Sequence, residues 1–443
     1  MSGGHGQAHV PTRAELAPMA AKAGSGSLRT IALSLAAAGF ALFLYGAFTG
    51  HSRAWQAFQV NWMFFTTISS AAVVFAAVQR IVTARWSRPV IRFFEGFVAW
   101  LPIAFLLLAA TLVFGLDHIY PWATTAPHTP EKALWLAKSF LIPRDLVAFG
   151  LITALSVWFV YNSVRLDVAI LPEAGLAWAK GLRARMRAGF GEERRELHTQ
   201  HSRQGTLAVL LVILFGFGWV VLAWDLSMSA DVHFQSTMYG WQIFMGGWVA
   251  MLMLMALVSR LWRNHLGMQE VIGEQQFHDI GKLCFAFSAF WGYITFAQYL
   301  VIWYGNITEE THFFNLRLTA PWTPLTLAYV AGMFILPFFG LMGKFPKLWT
   351  PTMTLFALSS IVGLWIHRYV ELYPSIYGEV STLPLGLWEG GIFLGFLGLW
   401  GWSYLSFMDA FPKVRVFMMT TPARDEVQVP VDVESMEPLP AHE

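Results

Sequence analysis

The longest polar pattern in this sequence follows one predicted helix and consists of side chains that can carry protons. These residues are His278, Asp279, Lys282, Tyr293, Tyr304 and Glu309. At ~100° per residue, Lys282, Tyr293 and Tyr304 fall within ~40° of one another and span ~33 Å, about one bilayer core. We therefore predict a transmembrane proton path with titratable groups at both ends. Aromatic packing at helix contacts and membrane interfaces is the alternative.

Further ionisable side chains lie within or at the ends of apolar segments, where charge is costly and usually faces a cavity or a partner group. They are Glu95, Arg144, Asp145, His367, Arg368 and Glu389. If His118 lies near Arg144 and Asp145, the three form a candidate site for a polar headgroup. Snorkelling to an interface is the alternative for Glu95 and Glu389.

Ten apolar runs are long enough to position these groups inside a membrane, because a spanning helix needs about 20 apolar residues. They are Leu28–Phe48, Val60–Val82, Val90–Gly115, Asp145–Val164, Thr206–Trp224, Tyr239–Ser259, Gly281–Tyr304, Leu325–Met342, Pro351–Tyr369 and Leu387–Phe407. The fold class is therefore an all-α integral membrane protein with ten transmembrane helices. Glycines at 391, 395, 398 and 401 predict a contact surface for another helix and suggest partner subunits.

Basic residues predict the orientation, since they collect on the cytoplasmic side. With both termini inside, 23 of the 29 Lys and Arg lie on the cytoplasmic side. Residues 1–27 are predicted to be a flexible cytoplasmic leader, 28–411 the membrane domain and 412–443 a cytoplasmic tail, which is extended along a partner or disordered. The basic cytoplasmic loop 165–205 is predicted to be a helix on an anionic lipid surface or under a cytoplasmic partner, and plain topogenic charge is the alternative.

Composition excludes several functions. Of 443 residues, 56% are hydrophobic and 13% charged, which excludes an ordinary soluble enzyme. The net charge of +2 gives no strong field, and we expect no nucleic-acid partner. One cysteine cannot hold a zinc site or an iron–sulfur cluster, and only His367 lies inside a predicted span, so no facing histidine pair exists for a haem. We expect no metal and no cofactor bound by this chain.

Two sequence stretches resemble a known family. The first runs from Trp224 through Asp225, Asp231 and His233 to Gly240, and the second from His278 to Glu310. Both are similar to the NrfD-like (polysulfide reductase membrane-subunit type) family, most closely to the F subunit of bacterial alternative complex III. The resemblance covers most of the ten-helix region.

The resemblance implies two four-helix bundles with flanking peripheral helices in the bacterial inner membrane. It also implies a quinol:cytochrome c oxidoreductase whose partners are a paralogous NrfD-like subunit, an iron–sulfur subunit and haem c subunits. The chain would bind no redox centre, contact quinol and membrane lipids, and be inactive alone. The implied outer-face candidates are His118, Arg144 and Asp145 at one bundle and Asp225, Asp231 and His233 at the other. Pro143, which removes a backbone donor, is expected to reshape the site.

Two other classes of function stay open. A secondary transporter would show interrupted helices in two matching halves, and the sequence shows Pro337 and glycine pairs but no matching halves. A purely structural membrane anchor would use every polar group for packing or assembly.

Overall fold

The structure, a computed structural model, describes residues 11–24, 26–125, 127 and 129–420, and every regular element in them is helical. The helices are α1 (Arg13–Ala21), α2 (Gly26–Phe48), α3 (Ser52–Ile81), α4 (Ile91–Ile119), α5 (Pro130–Trp135), α6 (Lys138–Ile170), α7 (Lys180–Arg187), α8 (Glu193–Leu226), α9 (Thr237–Leu266), α10 (Glu274–Gly305), α11 (Thr308–Arg317), α12 (Thr323–Gly340), α13 (Lys344–Leu348), α14 (Thr350–Tyr377), α15 (Leu387–Ala410) and α16 (Val416–Thr420). Short 3-10 turns connect some of them.

Ten of these helices are long and apolar enough to cross a membrane, which confirms the predicted all-α multi-span fold. They are α2, α3, α4, α6, α8, α9, α10, α12, α14 and α15. Most extend beyond the apolar runs because polar turns continue the helix past the hydrocarbon-length segment. For example, α8 starts at Glu193, 13 residues before the predicted span.

The spanning helices pack as two groups of four and one pair. Helices α3, α4, α6 and α8 form the first bundle, and α9, α10, α12 and α14 form the second. Helix α3 lies at the centre, where it also packs against α9 and α14 and is buried along its apolar length. Helices α2 and α15 pack together at the side of the first bundle.

The glycines of α15 pack against α2 of the same chain. A Cβ at Gly39 would lie 2.2 Å from the Cα of Gly395, so the two backbones touch. Gly391 and Gly398 also face α2, whereas Gly401 has open space around it. Three of the four glycines therefore form a contact within the chain. This surface gives no reason to expect partner subunits.

The two described chain ends meet at one end of the helices, as an even number of spans requires. The amide of Lys413 donates to the carbonyl of Ala20 at 3.1 Å, and the amide of Gly24 donates to Asp409 at 2.7 Å. The leader, expected to be flexible, forms helix α1 with Leu16 and Ala20 buried. The described start of the tail is also buried rather than extended, with Phe417 packed against α6. Residues 1–10 and 421–443 lie outside the described part.

The basic loop is shorter than predicted because α6 and α8 extend into it, which leaves residues 171–192. Arg183 and Arg187 both pair with Glu173, and hydrogen bonding from Arg183 lowers the pKa of that carboxyl. Arg183 also donates to the carbonyl of Ala410 at 2.8 Å. These two arginines are therefore occupied by protein groups rather than directed at a lipid surface.

Candidate functional site

A buried charged cluster lies at the predicted outer end of the first bundle. Arg144, in the first turns of α6, donates from Nη2 and Nε to Oδ2 of Asp225 at 2.7 and 3.0 Å. Asp145 lies 3.9 Å from Arg144 Nε, and its carboxyl group adjoins that of Asp225. Both aspartates have no exposed surface. One guanidinium therefore faces two buried carboxyl groups. The three side chains together have one net negative charge when both carboxyl groups are ionised.

Aromatic rings hold this cluster in place. The indole Nε1 of Trp135 donates to Oδ1 of Asp225 at 2.7 Å, and the Arg144 guanidinium lies 3.9 Å above the Trp135 ring. Phe140 contacts the guanidinium from a second direction. Pro143 lies inside α6, one residue before Arg144, without breaking the helix. The side chain that tethers Asp225 therefore also shields Arg144 from solvent.

A cleft of about 300 Å³ opens beside the cluster. The rings of Trp135, Trp224 and Phe234 line it, and Asp231 and Gln235 add polar edges. Trp135 connects the two features, since its ring lines the cleft and its Nε1 bonds to Asp225. Cavities of this size, mostly apolar with a few polar groups, are typical of small-molecule sites.

The resemblance placed Asp225 at a different bundle from Arg144, and the structure corrects this. Residues 144 and 225 lie on adjacent helices of one bundle and bond directly. Asp231 lies in the turn after α8, where Oδ1 accepts the amides of His233 and Phe234. The side chain of His233 is exposed. Asp231 therefore lines the cleft, while His233 lies outside the buried cluster.

His118 has a separate environment from the cluster. Its ring stacks parallel to Trp55, with ring centroids 6.4 Å apart, and its Nδ1 lies 3.4 Å from Ser52 Oγ. The neighbouring Tyr120 donates to the carbonyl of Leu226 at 2.7 Å, and burial raises the pKa of this phenol well above its ordinary value. Among the contacts of the described residues, none joins His118 to Arg144 or Asp145, so the structure does not bring the three predicted residues together.

The predicted polar stripe of α10 lies on the outside of the chain. Lys282, Tyr293 and Tyr304 are 54%, 66% and 77% exposed, and Lys282 pairs with Asp279 at 2.6 Å. His278 is half-buried beside them, and Glu309 is exposed at the start of α11. Lys282, Tyr293 and Tyr304 share one face of α10, as the periodicity predicts, but that face points away from both bundles. In a membrane the outward face is as apolar as the core, so hydrophobic pattern alone does not tell the two apart.

A second buried cluster lies at the predicted inner end of the first bundle. Arg92 bonds Glu95 at 2.6 Å and Asp167 at 2.5 Å, and all three are buried. The amide of Phe417 donates to Asp167 at 2.8 Å, and Arg415 lies 4.0 Å from Glu95. Glu95 therefore does not snorkel to the interface, because Arg92 balances its charge inside the protein.

A buried polar face of α6 extends along the helix from Asp145 in the first cluster to Asp167 in the second. Asp145, Ser156, Ser163 and Asp167 fall within ~40° of one another at ~100° per residue and span ~33 Å. None is more than 1% exposed. The hydroxyls of Ser156 and Ser163 have no hydrogen-bond partner among the described residues, and neither does that of the nearby Thr153. The same periodicity argument used for α10 would have found this stripe, and here the stripe is internal.

The second bundle has an outer cluster that the sequence indicated only in part. Arg368 donates to the Glu371 carboxylate at 2.8 Å, and Nε2 of His367 lies 3.1 Å from its other oxygen. The sequence spacings of three and four place both residues beside Glu371 on α14. Arg317, the last residue of α11, lies 54 residues earlier in the sequence and donates to the backbone carbonyl of Glu371 at 2.6 Å. Burial lowers the pKa of Arg317 to about 10, so it stays charged at neutral pH. Two arginines thus surround one carboxylate.

Glu389, the last of the predicted ionisable residues, is buried and paired. Arg53 donates to both of its carboxylate oxygens, at 3.1 and 2.7 Å, and Tyr373 donates to Oε1 at 3.0 Å. This bidentate pair joins the outer ends of α3 and α15. Its geometry explains Glu389 as a packing contact.

Comparison of the sequence with protein-family models and with curated proteins finds no match.

Proposed function

We propose that this chain is the cofactor-free, integral membrane subunit of a respiratory quinol:cytochrome c oxidoreductase of the alternative complex III type, in the bacterial inner membrane. The observation that carries the proposal is the aromatic cleft next to the buried Arg144, Asp145 and Asp225. A flat apolar ring with two acidic hydroxyls suits such a cleft, because the ring packs on indole faces and Asp231 at the cleft can accept a hydrogen bond from a hydroxyl. Asp225 lies behind Trp135, which bonds to it. The partners proposed are a paralogous NrfD-like subunit, an iron–sulfur subunit and haem c subunits.

The chemistry assigned to this chain is proton removal. Oxidation of a quinol to a quinone releases two electrons and two protons, and the electrons pass to a redox centre of a partner subunit. The cluster with two carboxyl groups and one guanidinium accepts the two protons one after the other: it loses its net negative charge with the first, regains it when that proton leaves, and then accepts the second. Trp135 and Arg144 hold Asp225 in position for this step.

For the transmembrane proton path we propose the buried face of α6 in place of the exposed face of α10. Ser156 and Ser163 supply hydroxyls between Asp145 and Asp167, and unpartnered buried hydroxyls are groups to which internal water binds. The intervals along the helix range from ~6 to ~16 Å, so water molecules must complete the path. Arg92 at the inner end keeps Asp167 paired.

Affinity purification of the tagged chain from bacterial membranes tests the proposal as a whole. We expect iron–sulfur and haem c subunits in the purified complex and quinol-dependent reduction of cytochrome c. Isolation of the chain with neither type of subunit would contradict it. Solute flux by the chain alone in vesicles would support the transporter instead.

Asp225→Asn in the assembled complex tests the chemical step. We expect quinol oxidation to fall by about 100-fold or more, the usual contribution of a positioned base, while the subunits still assemble. Asp117→Asn is the control, since Asp117 is an exposed carboxylate of the same face that pairs with Lys138. Equal activity of the two variants would remove Asp225 from the mechanism and leave the cluster a packing element.

A further inference from the structure

A basic pocket lies at the predicted inner face, between the first bundle and the start of the tail. Its volume is about 280 Å³. Arg80, Arg88 and Arg415 supply its positive groups, His198 and His201 add imidazole rings, and no carboxylate lines it within the described part of the chain. Neither the proton chemistry nor the helix packing described above uses this pocket.

The positive groups in the pocket reinforce one another. Arg88 and Arg415 both lie close enough to act electrostatically on Arg80, and the guanidinium of Arg80 donates to a carbonyl, that of His201, at 2.9 Å. Arg415 is 8% exposed and lies 4.0 Å from Glu95, a carboxylate that Arg92 already binds at 2.6 Å. Burial lowers the pKa of Arg415. Within the described part of the chain, the carboxylate that faces Arg415 is shared with Arg92, so it does not fully offset the positive charge of the pocket.

The pocket also has apolar walls and a position that suits a lipid. Ile91, Leu197 and Met418 line it, and Ser87 and Thr83 add hydroxyls. Arg80 lies in the last turn of the membrane helix α3, and the two residues after Arg80, Ile81 and Val82, are 44% and 58% exposed. An amphiphile can thus place its charged group among the arginines and its chains along the exposed apolar end of α3.

We propose that this pocket binds a phosphoryl group, and specifically the headgroup phosphate of an anionic phospholipid of the inner leaflet. Guanidinium groups bind phosphate oxygens through paired N–H donors, which makes arginine the preferred residue for phosphate recognition. Basic pockets between membrane helices on the cytoplasmic side are suited to anionic headgroups. This site is independent of the proposed quinol chemistry.

The test measures lipid retention by the purified full-length protein in nanodiscs that contain phosphatidylcholine, with or without phosphatidylglycerol. We expect wild type to bind phosphatidylglycerol selectively. Arg80→Gln and Arg88→Gln should each weaken binding by about five-fold, and the double variant by about 25-fold. Arg85→Gln is the matched control, because Arg85 is an exposed arginine of the same turn that does not line the pocket. Arg80→Lys keeps the charge but loses the paired N–H donors, so it should bind more tightly than Arg80→Gln and more weakly than wild type, and it shows that the fold tolerates a change there.

Two further arms identify the source of the phosphoryl group. Inorganic phosphate is titrated into phosphatidylcholine nanodiscs, and saturable binding that needs Arg80 would assign the site to a free phosphate. A variant ending at Thr420 tests whether the acidic segment that follows occupies the pocket instead. Selective binding only after that truncation would overturn the lipid proposal. Equal lipid binding by the Arg80→Gln and Arg85→Gln variants, or no binding of either phosphoryl probe, would also overturn it.

Discussion

At the scale of single residues, the two bundles differ in the balance of charge at their outer ends. Arg144 faces Asp145 and Asp225, whereas Glu371 faces Arg368 and Arg317. The first set has one excess negative charge when both of its carboxyl groups are ionised, and the second has one excess positive charge. This difference supports the proposal that the first cluster accepts a proton, because the Glu371 carboxylate of the second cluster already has two arginines beside it.

This difference predicts separate consequences of removing a carboxylate from each cluster. Glu371→Gln leaves Arg368 and Arg317 buried without a counter-charge and should destabilise the protein by about 3–5 kcal/mol. Asp225→Asn should cost less, because Asp145 still balances Arg144. Thermal unfolding of the purified complex measures both, with Glu309→Gln as an exposed control. A smaller loss for Glu371→Gln than for Asp225→Asn would contradict the charge balance.

At the scale of elements, the contact of α2 with α15 depends on the absence of side chains. Gly39→Ala would place a Cβ 2.7 Å from the carbonyl oxygen of Gly391, and this backbone atom cannot rotate away. We expect the unfolding midpoint to fall and the two helices to separate. Gly401→Ala is the control, since nothing lies within 4 Å of its Cβ and alanine favours helix. Equal midpoints for the two variants would show that the helices shift apart without cost.

Much of the fold could be predicted from the sequence, because hydrocarbon thickness imposes a length and backbone hydrogen bonding imposes the helix. The residues that make up the site were harder to predict. Arg144 and Asp225 are 81 residues apart, and only packing of α6 against α8 brings them together. The sequence also could not predict which face of α10 points into the protein, because helix faces toward lipid and toward protein are both apolar. A periodicity search over every helix would have found Asp145, Ser156, Ser163 and Asp167.

At the scale of the whole molecule, the described ends of the chain and the basic pocket lie at the same end of the helices. Arg29 pairs with Asp409 at 3.4 Å, and Arg13 pairs with Glu193 at 2.5 Å. The outer clusters and the aromatic cleft lie at the opposite end. The molecule is therefore polarised, with the proposed quinol cleft at one end and the proposed lipid pocket at the other.

The positive-inside pattern predicts which end faces the cytoplasm, and the lone cysteine makes this testable. Cys284 is the single cysteine of the sequence, so Cys284→Ala gives a chain without a thiol. One new cysteine is then introduced at a time, each at an exposed position. Glu309→Cys places a thiol at the end with the cleft, and Glu192→Cys places one at the end with the pocket. In intact cells a membrane-impermeant maleimide should label only the cysteine at position 309, and permeabilised cells should expose both. Labelling only of the cysteine at position 192 in intact cells would place the cleft on the cytoplasmic side. Protons from the quinol would then be released into the cytoplasm, so the result also decides the direction of the proposed proton chemistry.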